Sequence, residues 1–152
     1  MKLFVSLLTP QLAGIIGSLF TAQAITGWYA TLVRPELAPP NWIFAPVWTS
    51  LYLLMGIALY LVWKKGVQTP GVRIALVLFA IQLVLNTLWS IVFFGLQDLT
   101  LALVEISILW VAILATMIAF ARVSRTAAWL LVPYIAWVSF AAYLTYSFWV
   151  LN

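Results

Sequence analysis

The sequence predicts an all-α membrane protein, a five-transmembrane-helix bundle with little soluble mass. Of its 152 residues, 66% are hydrophobic and only 7% are charged. A soluble domain has roughly a quarter of its residues charged, so most of this surface must face something other than water. The chain holds five apolar stretches. Each is close in length to the roughly 20 residues that a helix needs to cross the hydrocarbon core. We expect residues 1–152 to form one domain.

Charged and turn-forming residues separate the five stretches and set the bounds of the predicted helices. We expect the first stretch to be a retained transmembrane helix, because its apolar run is long for a signal peptide and four more spans follow it. The predicted helices cover about residues 5–27, 42–63, 72–94, 99–121 and 127–150, and a longer loop covers residues 28–41.

The basic residues predict the orientation of the bundle. Arg34, offset by Glu36, lies on one side of the membrane, whereas the other six basic residues share the side of the amino terminus. Cytoplasmic loops carry an excess of Lys and Arg. We therefore expect a cytoplasmic amino terminus, an external carboxyl terminus and an external first loop. The six residues are Lys2, Lys64, Lys65, Arg73, Arg122 and Arg125.

The composition excludes several classes of site. The chain contains no histidine and no cysteine, so the commonest general base and the commonest metal ligands are missing. We expect no metal site and no cofactor. The net charge of +4 is spread over short loops, which indicates membrane topology rather than a nucleic-acid-binding face.

The first loop, residues 28–41, is the only connection long enough to have a structure of its own. Three prolines, Pro35, Pro39 and Pro40, restrict its backbone. One interpretation is a lid, because ordered loops of this kind usually serve a site. The alternative is a stiff connector in the headgroup region.

Three predicted helices carry aromatic and polar side chains on one face. An amide in hydrocarbon must find a partner, so the face with Gln82 and Asn86 should point into the bundle. The same spacing of three to four residues places rings on the neighbouring spans. These faces predict an aromatic cavity among the second, third and fifth helices, formed by Phe44, Trp48 and Tyr52, by Gln82, Asn86 and Trp89, and by Pro133, Trp137 and Ala141.

Two other features have plainer interpretations. Glu105 is the only carboxylate well inside a span, and such a residue is a functional candidate by default. We favour the plainer alternative, because its depth of about two turns from the helix end permits contact with interfacial water. The small residues Ala13, Gly14, Gly17 and Ser18 on the first helix are typical of a close helix contact or a dimer interface rather than a ligand site.

Three segments of the chain have a recognisable sequence. The most specific is WYATLVRPELAPPNWIFAPVWTSLYLLMGIALYLVW, from Trp28 to Trp63. The others are QLVLNTLWSIVFF, from Gln82 to Phe94, and AAWLLVPYIAWVSFAAYL, from Ala127 to Leu144. These segments resemble the TspO/MBR family, whose members include translocator proteins and tryptophan-rich sensory proteins. The resemblance covers nearly the whole chain.

The resemblance implies a five-helix bundle, often a homodimer, with a ligand cavity capped by the first loop. The implied ligands are porphyrins such as protoporphyrin IX, isoquinoline carboxamides and benzodiazepines and, in animal members, cholesterol. Carried over by position, the ligand-binding residues would be Tyr29, Pro40, Phe44, Trp48, Tyr52, Gln82, Asn86, Phe93, Trp137 and Ala141.

Two departures from the family pattern bear on the ligand. Thr145 stands where members often have Asn, and no basic residue follows Arg125. The sterol-recognition pattern of animal members needs a Tyr followed closely by Lys or Arg late in the fifth helix. We therefore do not expect cholesterol as a ligand.

Three functions fit the resemblance. The first is a binding or sensory protein for tetrapyrroles, and the second is a transporter that moves them across the membrane. The third is a light-dependent enzyme that degrades the bound porphyrin with the support of Trp48 and Trp137. The absence of an inverted repeat and of paired acid–base residues favours the first, in a bacterial inner membrane. Arg34 would either meet the porphyrin propionates or pair with Glu36.

The predicted orientation can be tested with topology reporters. A reporter fused after Asn152 should report an external location, and one inserted between Lys64 and Arg73 a cytoplasmic location. The reverse pattern would show that the distribution of basic residues does not set the topology.

Overall fold

The computed structural model describes all 152 residues, and all of its regular structure is helical. The α-helices are α1 (Lys2–Ala24), α2 (Trp28–Thr31), α3 (Phe44–Trp63), α4 (Val72–Ser90), α5 (Leu99–Val123), α6 (Arg125–Leu130) and α7 (Val132–Leu151). A 3₁₀ turn, Asn41–Ile43, precedes α3, and a π turn, Ile91–Gly95, continues α4. Five helical segments are long and apolar enough to cross a membrane, which confirms the predicted five-helix architecture.

Four helix bounds differ from the prediction by two or three residues: the starts of the first and last spans and the ends of the first and fourth. The first helix ends at Ala24 rather than near Gly27, because Gly27 leaves the helical region with φ −103° and ψ −102°. The last span begins at Arg125, since the hydroxyl of Ser124 accepts a hydrogen bond from the Ala127 N–H at 3.3 Å. Such a capping bond satisfies a free N–H at the start of a helix.

The last span is broken near its start by Pro133. Proline has no N–H to donate, and its ring clashes with the preceding turn. The chain accordingly closes a tight turn, in which the Leu131 N–H donates to the Ala128 carbonyl at 3.1 Å, and restarts as α7 at Val132. The break therefore follows from Pro133, which lies in the first turn of α7.

The helices form a closed ring around a small interior. Helix α1 packs between α3 and α4, α4 packs along α5, and α5 packs against α7. The short α6 closes the ring on α3, whereas α7 has few contacts with α3. The break near Pro133 therefore lets the last span seal the bundle at one end and leave space between α3 and α7 at the other.

The first loop lies over the end of the bundle where this space opens. Its helix α2 places Tyr29 inside a small apolar cluster with Val92, Phe93, Ala102 and Phe148. A separate and larger core, which includes Met55, Phe79 and Phe120, fills the opposite part of the bundle. The space between the two clusters is where the candidate site lies.

The contact between α1 and α3 depends on Gly56. A Cβ atom added there would lie 2.8 Å from the Ser6 carbonyl oxygen and 2.9 Å from the Leu7 Cα. We predict that Gly56→Ala forces the two backbones apart and destabilises the protein by about 1–3 kcal/mol in detergent unfolding measurements.

Gly17→Ala is the matched control for this prediction. Its Cβ would meet only the side chain of Ser90, at 3.2 Å from Oγ and 3.3 Å from Cβ, and that neighbour can adjust. Equal or greater destabilisation by Gly17→Ala would contradict the importance of the backbone contact at Gly56.

Candidate ligand-binding cavity

The candidate site is a cavity of about 260 Å³ beneath the first loop. It is lined by 23 residues, 16 of them hydrophobic, so it suits an apolar ligand. Eight of the residues predicted to bind ligand line it: Tyr29, Phe44, Trp48, Tyr52, Asn86, Phe93, Trp137 and Ala141. The other two, Pro40 and Gln82, do not line it. Pro40 is exposed in the loop, and Gln82 is buried behind the cavity wall.

Helices α1 and α5 also contribute to the cavity. The sequence predicted a cavity among the second, third and fifth spans alone. Gly14 and Ser18 belong to the small-residue stripe that the sequence suggested as a helix contact. That contact exists, because a Cβ on Gly14 would overlap the ring of Tyr52, but the stripe lines the cavity as well. The remaining lining residues are Thr21, Ile25, Asn41, Ala45, Trp89, Ser90, Phe94, Ile106, Leu109, Val138, Leu144, Thr145 and Phe148.

A chain of buried hydrogen bonds holds the wall of the cavity. The Tyr52 hydroxyl donates to Asn86 Oδ1 at 2.9 Å, and Asn86 Nδ2 donates to the Tyr134 hydroxyl at 2.8 Å. Tyr134 in turn donates to Gln82 Oε1 at 2.7 Å. The bonds join α3, α4 and α7, and confirm that the amides of α4 point inward.

Tyr134 is the member of this chain that the sequence did not reveal. It is fully buried at 1% exposure, and its hydroxyl both accepts and donates a hydrogen bond. The available signal was a tyrosine well inside an apolar span, because a buried phenol group usually finds a hydrogen-bond partner.

Aromatic rings cover this chain of hydrogen bonds on the side that faces the cavity. Trp48 stacks on Tyr52 with ring centroids 5.6 Å apart and planes inclined by 28°, and its ring lies 6.4 Å from that of Tyr134. On the facing side, Phe44 meets Trp137 edge to face at 6.0 Å. The cavity therefore offers flat apolar surfaces to a planar ligand.

The π turn after α4 adds two more rings. It is defined by the Leu96 N–H, which donates to the Ile91 carbonyl five residues back at 2.8 Å. A π turn is wider than an α turn and often marks a functional site. Within it, the consecutive residues Phe93 and Phe94 both line the cavity. The ring centroids of Phe93 and Trp89 are 5.0 Å apart.

Two buried indole N–H groups have no hydrogen-bond partner within the protein. They belong to Trp89 and Trp137, and both nitrogens are buried although the two residues line the cavity. A buried donor without a partner costs free energy. Because both nitrogens are covered by protein atoms, a ligand can bond to them only where the cavity widens.

The first loop is fastened over the cavity by Tyr29. Its ring lies among three phenylalanines, with centroid separations of 6.3 Å to Phe93, 5.6 Å to Phe94 and 5.4 Å to Phe148. Burial raises the pKa of the Tyr29 hydroxyl, and the nearby Arg34 opposes part of that effect. The hydroxyl therefore stays neutral at physiological pH.

Within the protein, Arg34 bonds to the backbone of the loop rather than to Glu36, one of the two partners that the sequence suggested. Its guanidinium group donates a hydrogen bond to the Pro39 carbonyl across the loop. It also lies over the ring of Tyr29, 5.7 Å from the centroid. Arg34 is exposed, and the Tyr29 ring that it covers lines the cavity.

The expectation that Glu105 contacts interfacial water is wrong. Glu105 is only 8% exposed, and neither carboxyl oxygen has a hydrogen-bond partner within the protein. Helix α5 packs against both α4 and α7, and the side chain is buried within the bundle despite its place near the end of the span. Helical depth alone did not reveal on which side of α5 the carboxyl group lies.

The comparison with known proteins agrees with this architecture. A profile of the TspO/MBR family matches residues 6–150. The chain belongs to the TspO/MBR family. It is 50% identical over 139 residues to the tryptophan-rich protein TspO of Chlorobaculum tepidum, which covers 91% of this chain and 88% of that protein.

Other relatives in the TspO/MBR family come from archaea and animals. The tryptophan-rich protein TspO of Archaeoglobus fulgidus is 43% identical over 152 residues, covering 100% of this chain and 97% of the relative. The human translocator protein is 41% identical over 143 residues, covering 93% and 85%. Together with its five apolar helices, family membership makes the chain an integral multi-pass membrane protein.

The hydrogen-bond chain behind the cavity yields a prediction for stability. Tyr134→Phe should leave Asn86 Nδ2 and Gln82 Oε1 without partners, which costs about 1–3 kcal/mol. The free energy of unfolding in detergent micelles measures the loss. Tyr146→Phe is the control, because Tyr146 is 51% exposed. Equal stability of the two variants would contradict the structural role of Tyr134.

Proposed function

We propose that this protein binds porphyrin-type tetrapyrroles, such as protoporphyrin IX, and related hydrophobic ligands in the cavity, and acts as their membrane-embedded sensor. The observation that carries the proposal is the aromatic cavity beneath the first loop, with Trp48 and Trp137 on its walls. One relative, 40% identical over 120 residues, is named a tryptophan-rich sensory protein in Cereibacter sphaeroides, which supports this choice. A bacterial inner membrane is the location we propose.

The chemistry of the walls suits a flat, mostly apolar molecule. Aromatic pairs contribute roughly 0.5–1.5 kcal/mol beyond the burial of apolar area, and rings stand on both sides of the cavity. The unpartnered N–H groups of Trp89 and Trp137 would donate to acceptor atoms of the ligand. The exposed guanidinium group of Arg34 at the rim suits the propionates of a porphyrin.

The size of the cavity adds a condition. Pockets for drug-sized ligands usually measure about 300–1,000 Å³, whereas this one measures about 260 Å³. A tetrapyrrole macrocycle is a large ligand, so binding requires the cavity to widen. The first loop is the wall that is not itself part of a transmembrane helix, and we propose that it is a lid that moves for ligand entry.

Transport of the same ligands is the second candidate function. Several animal relatives are named translocator protein, among them the human one, and this supports the alternative. A transporter would move protoporphyrin across proteoliposome membranes down a gradient, whereas a sensor would bind it without flux. A light-dependent enzyme would instead convert the ligand to a defined product with turnover.

The test of the proposed function is a fluorescence titration of the purified protein with protoporphyrin IX and with haem. The chain has no histidine or cysteine to ligate the haem iron, so the two dissociation constants should agree within about threefold. Trp48→Ala and Trp137→Ala should each weaken both ligands by about tenfold, the loss of one ring contact of about 1.4 kcal/mol.

Trp129→Ala is the matched control, because Trp129 is 71% exposed and lies outside the cavity. An equal loss of affinity in this variant would contradict binding in the cavity. A six-coordinate haem spectrum, with haem much tighter than the metal-free porphyrin, would contradict recognition by stacking and burial.

A further inference from the structure

The side chain of Asn152 binds the first loop at Val33. Its Oδ1 accepts from the Val33 N–H at 3.0 Å, and its Nδ2 donates to the Val33 carbonyl at 3.2 Å. The same Nδ2 donates to the Phe148 carbonyl of α7 at 3.0 Å. One amide group therefore satisfies both backbone groups of a loop residue and ties them to the end of the last helix.

Val33 lies where the loop has little other support. Helix α2 ends at Thr31, and Leu32 is already extended with φ −74° and ψ 146°. The backbone hydrogen bonds within the loop are local, such as that from the Ala38 N–H to the Pro35 carbonyl at 3.1 Å. Both backbone groups of Val33 bond to Asn152 across 119 sequence positions, which makes this contact a long-range attachment of the loop.

The attachment joins the loop to a helix that forms the cavity. Phe148, one turn before Asn152, packs against the Tyr29 ring with the two ring centroids 5.4 Å apart. Phe148 also lines the cavity. The last turn of α7 thus holds the loop at two points, an apolar one beneath α2 and a polar one at Val33. Opening the loop requires both contacts to break.

We propose that Asn152 is a positioning residue that holds the first loop closed over the cavity and thereby sets the rates at which ligand enters and leaves. The proposal rests on the proposed function, because it takes the cavity as the ligand site and the loop as its lid. Asn152 lies outside the lining of the cavity. Its effect should therefore fall on the rates of entry and exit more than on the affinity.

The first experiment needs no ligand. Hydrogen exchange of the ligand-free protein should rise about tenfold across Leu32–Asn41 in Asn152→Ala, since both long-range bonds of Val33 are lost. Asn152→Asp keeps the acceptor for the Val33 N–H but loses the donor, so its increase should be smaller. The interior of α7, around Val138, should exchange as in the unchanged protein in both variants.

Thr100→Val is the matched control at the same end of the bundle. It removes the bond that Thr100 Oγ1 accepts from Trp149 Nε1 at 3.0 Å, which joins α7 to α5 rather than to the loop. Exchange across the loop should not change in this variant. If Asn152→Ala leaves loop exchange unchanged, or if Thr100→Val raises it equally, the proposal is wrong.

The second experiment measures the rates by stopped-flow mixing with protoporphyrin IX. Asn152→Ala should raise the association and dissociation rate constants together, each by about fivefold or more, while the dissociation constant changes less than about twofold. Unchanged rate constants, despite faster loop exchange, would refute the role in ligand entry. If the unchanged protein does not bind protoporphyrin, the proposed function fails, and hydrogen exchange alone decides whether Asn152 holds the loop.

Discussion

Polar side chains in the interior of a membrane protein must find their hydrogen-bond partners within the protein. In this bundle, Tyr52, Asn86, Tyr134 and Gln82 are each bonded to the next at 2.7–2.9 Å, and only Gln82 Nε2 among their buried polar atoms has no partner. Because they come from three helices, the bonds fix how α3, α4 and α7 lie relative to one another. The geometry of the cavity depends on this chain of hydrogen bonds.

The aromatic wall follows from the same bonds. Tyr52 and Tyr134 are held by their hydroxyl groups, and Trp48 contacts both of their rings. The position of the large indole is thus set by two side chains that cannot rotate without breaking a buried hydrogen bond. Such preorganised surfaces bind planar ligands with little loss of conformational entropy.

Two local irregularities of the helices create the space for a ligand. The break before Pro133 lets α6 pack on α3 while α7 stays apart from it. The π turn after α4 brings Phe93 and Phe94 to the top of that space, where they also receive Tyr29 from the loop. A bundle of uninterrupted straight helices would pack α7 against α3 along its length and would leave less room beneath the loop.

Much of this fold can be read from the sequence, because hydropathy and short connections determine the five spans. The inward face of α4 is also predictable, since Gln82 and Asn86 have to avoid lipid. The share of α1 and α5 in the cavity was not predictable, because Gly14 and Ile106 carry no polar signal. The π turn and the burial of Glu105 depend on how helices pack rather than on periodicity within one helix.

The most direct test of the structural account is a double-mutant cycle on Tyr52→Phe and Tyr134→Phe, with the free energy of unfolding in micelles as the readout. Both hydroxyls bond to Asn86, so the account predicts that the two losses are not additive. The expected interaction energy is at least about 0.5 kcal/mol. Additive losses would show that the hydroxyls act independently and that no connected chain holds the cavity wall.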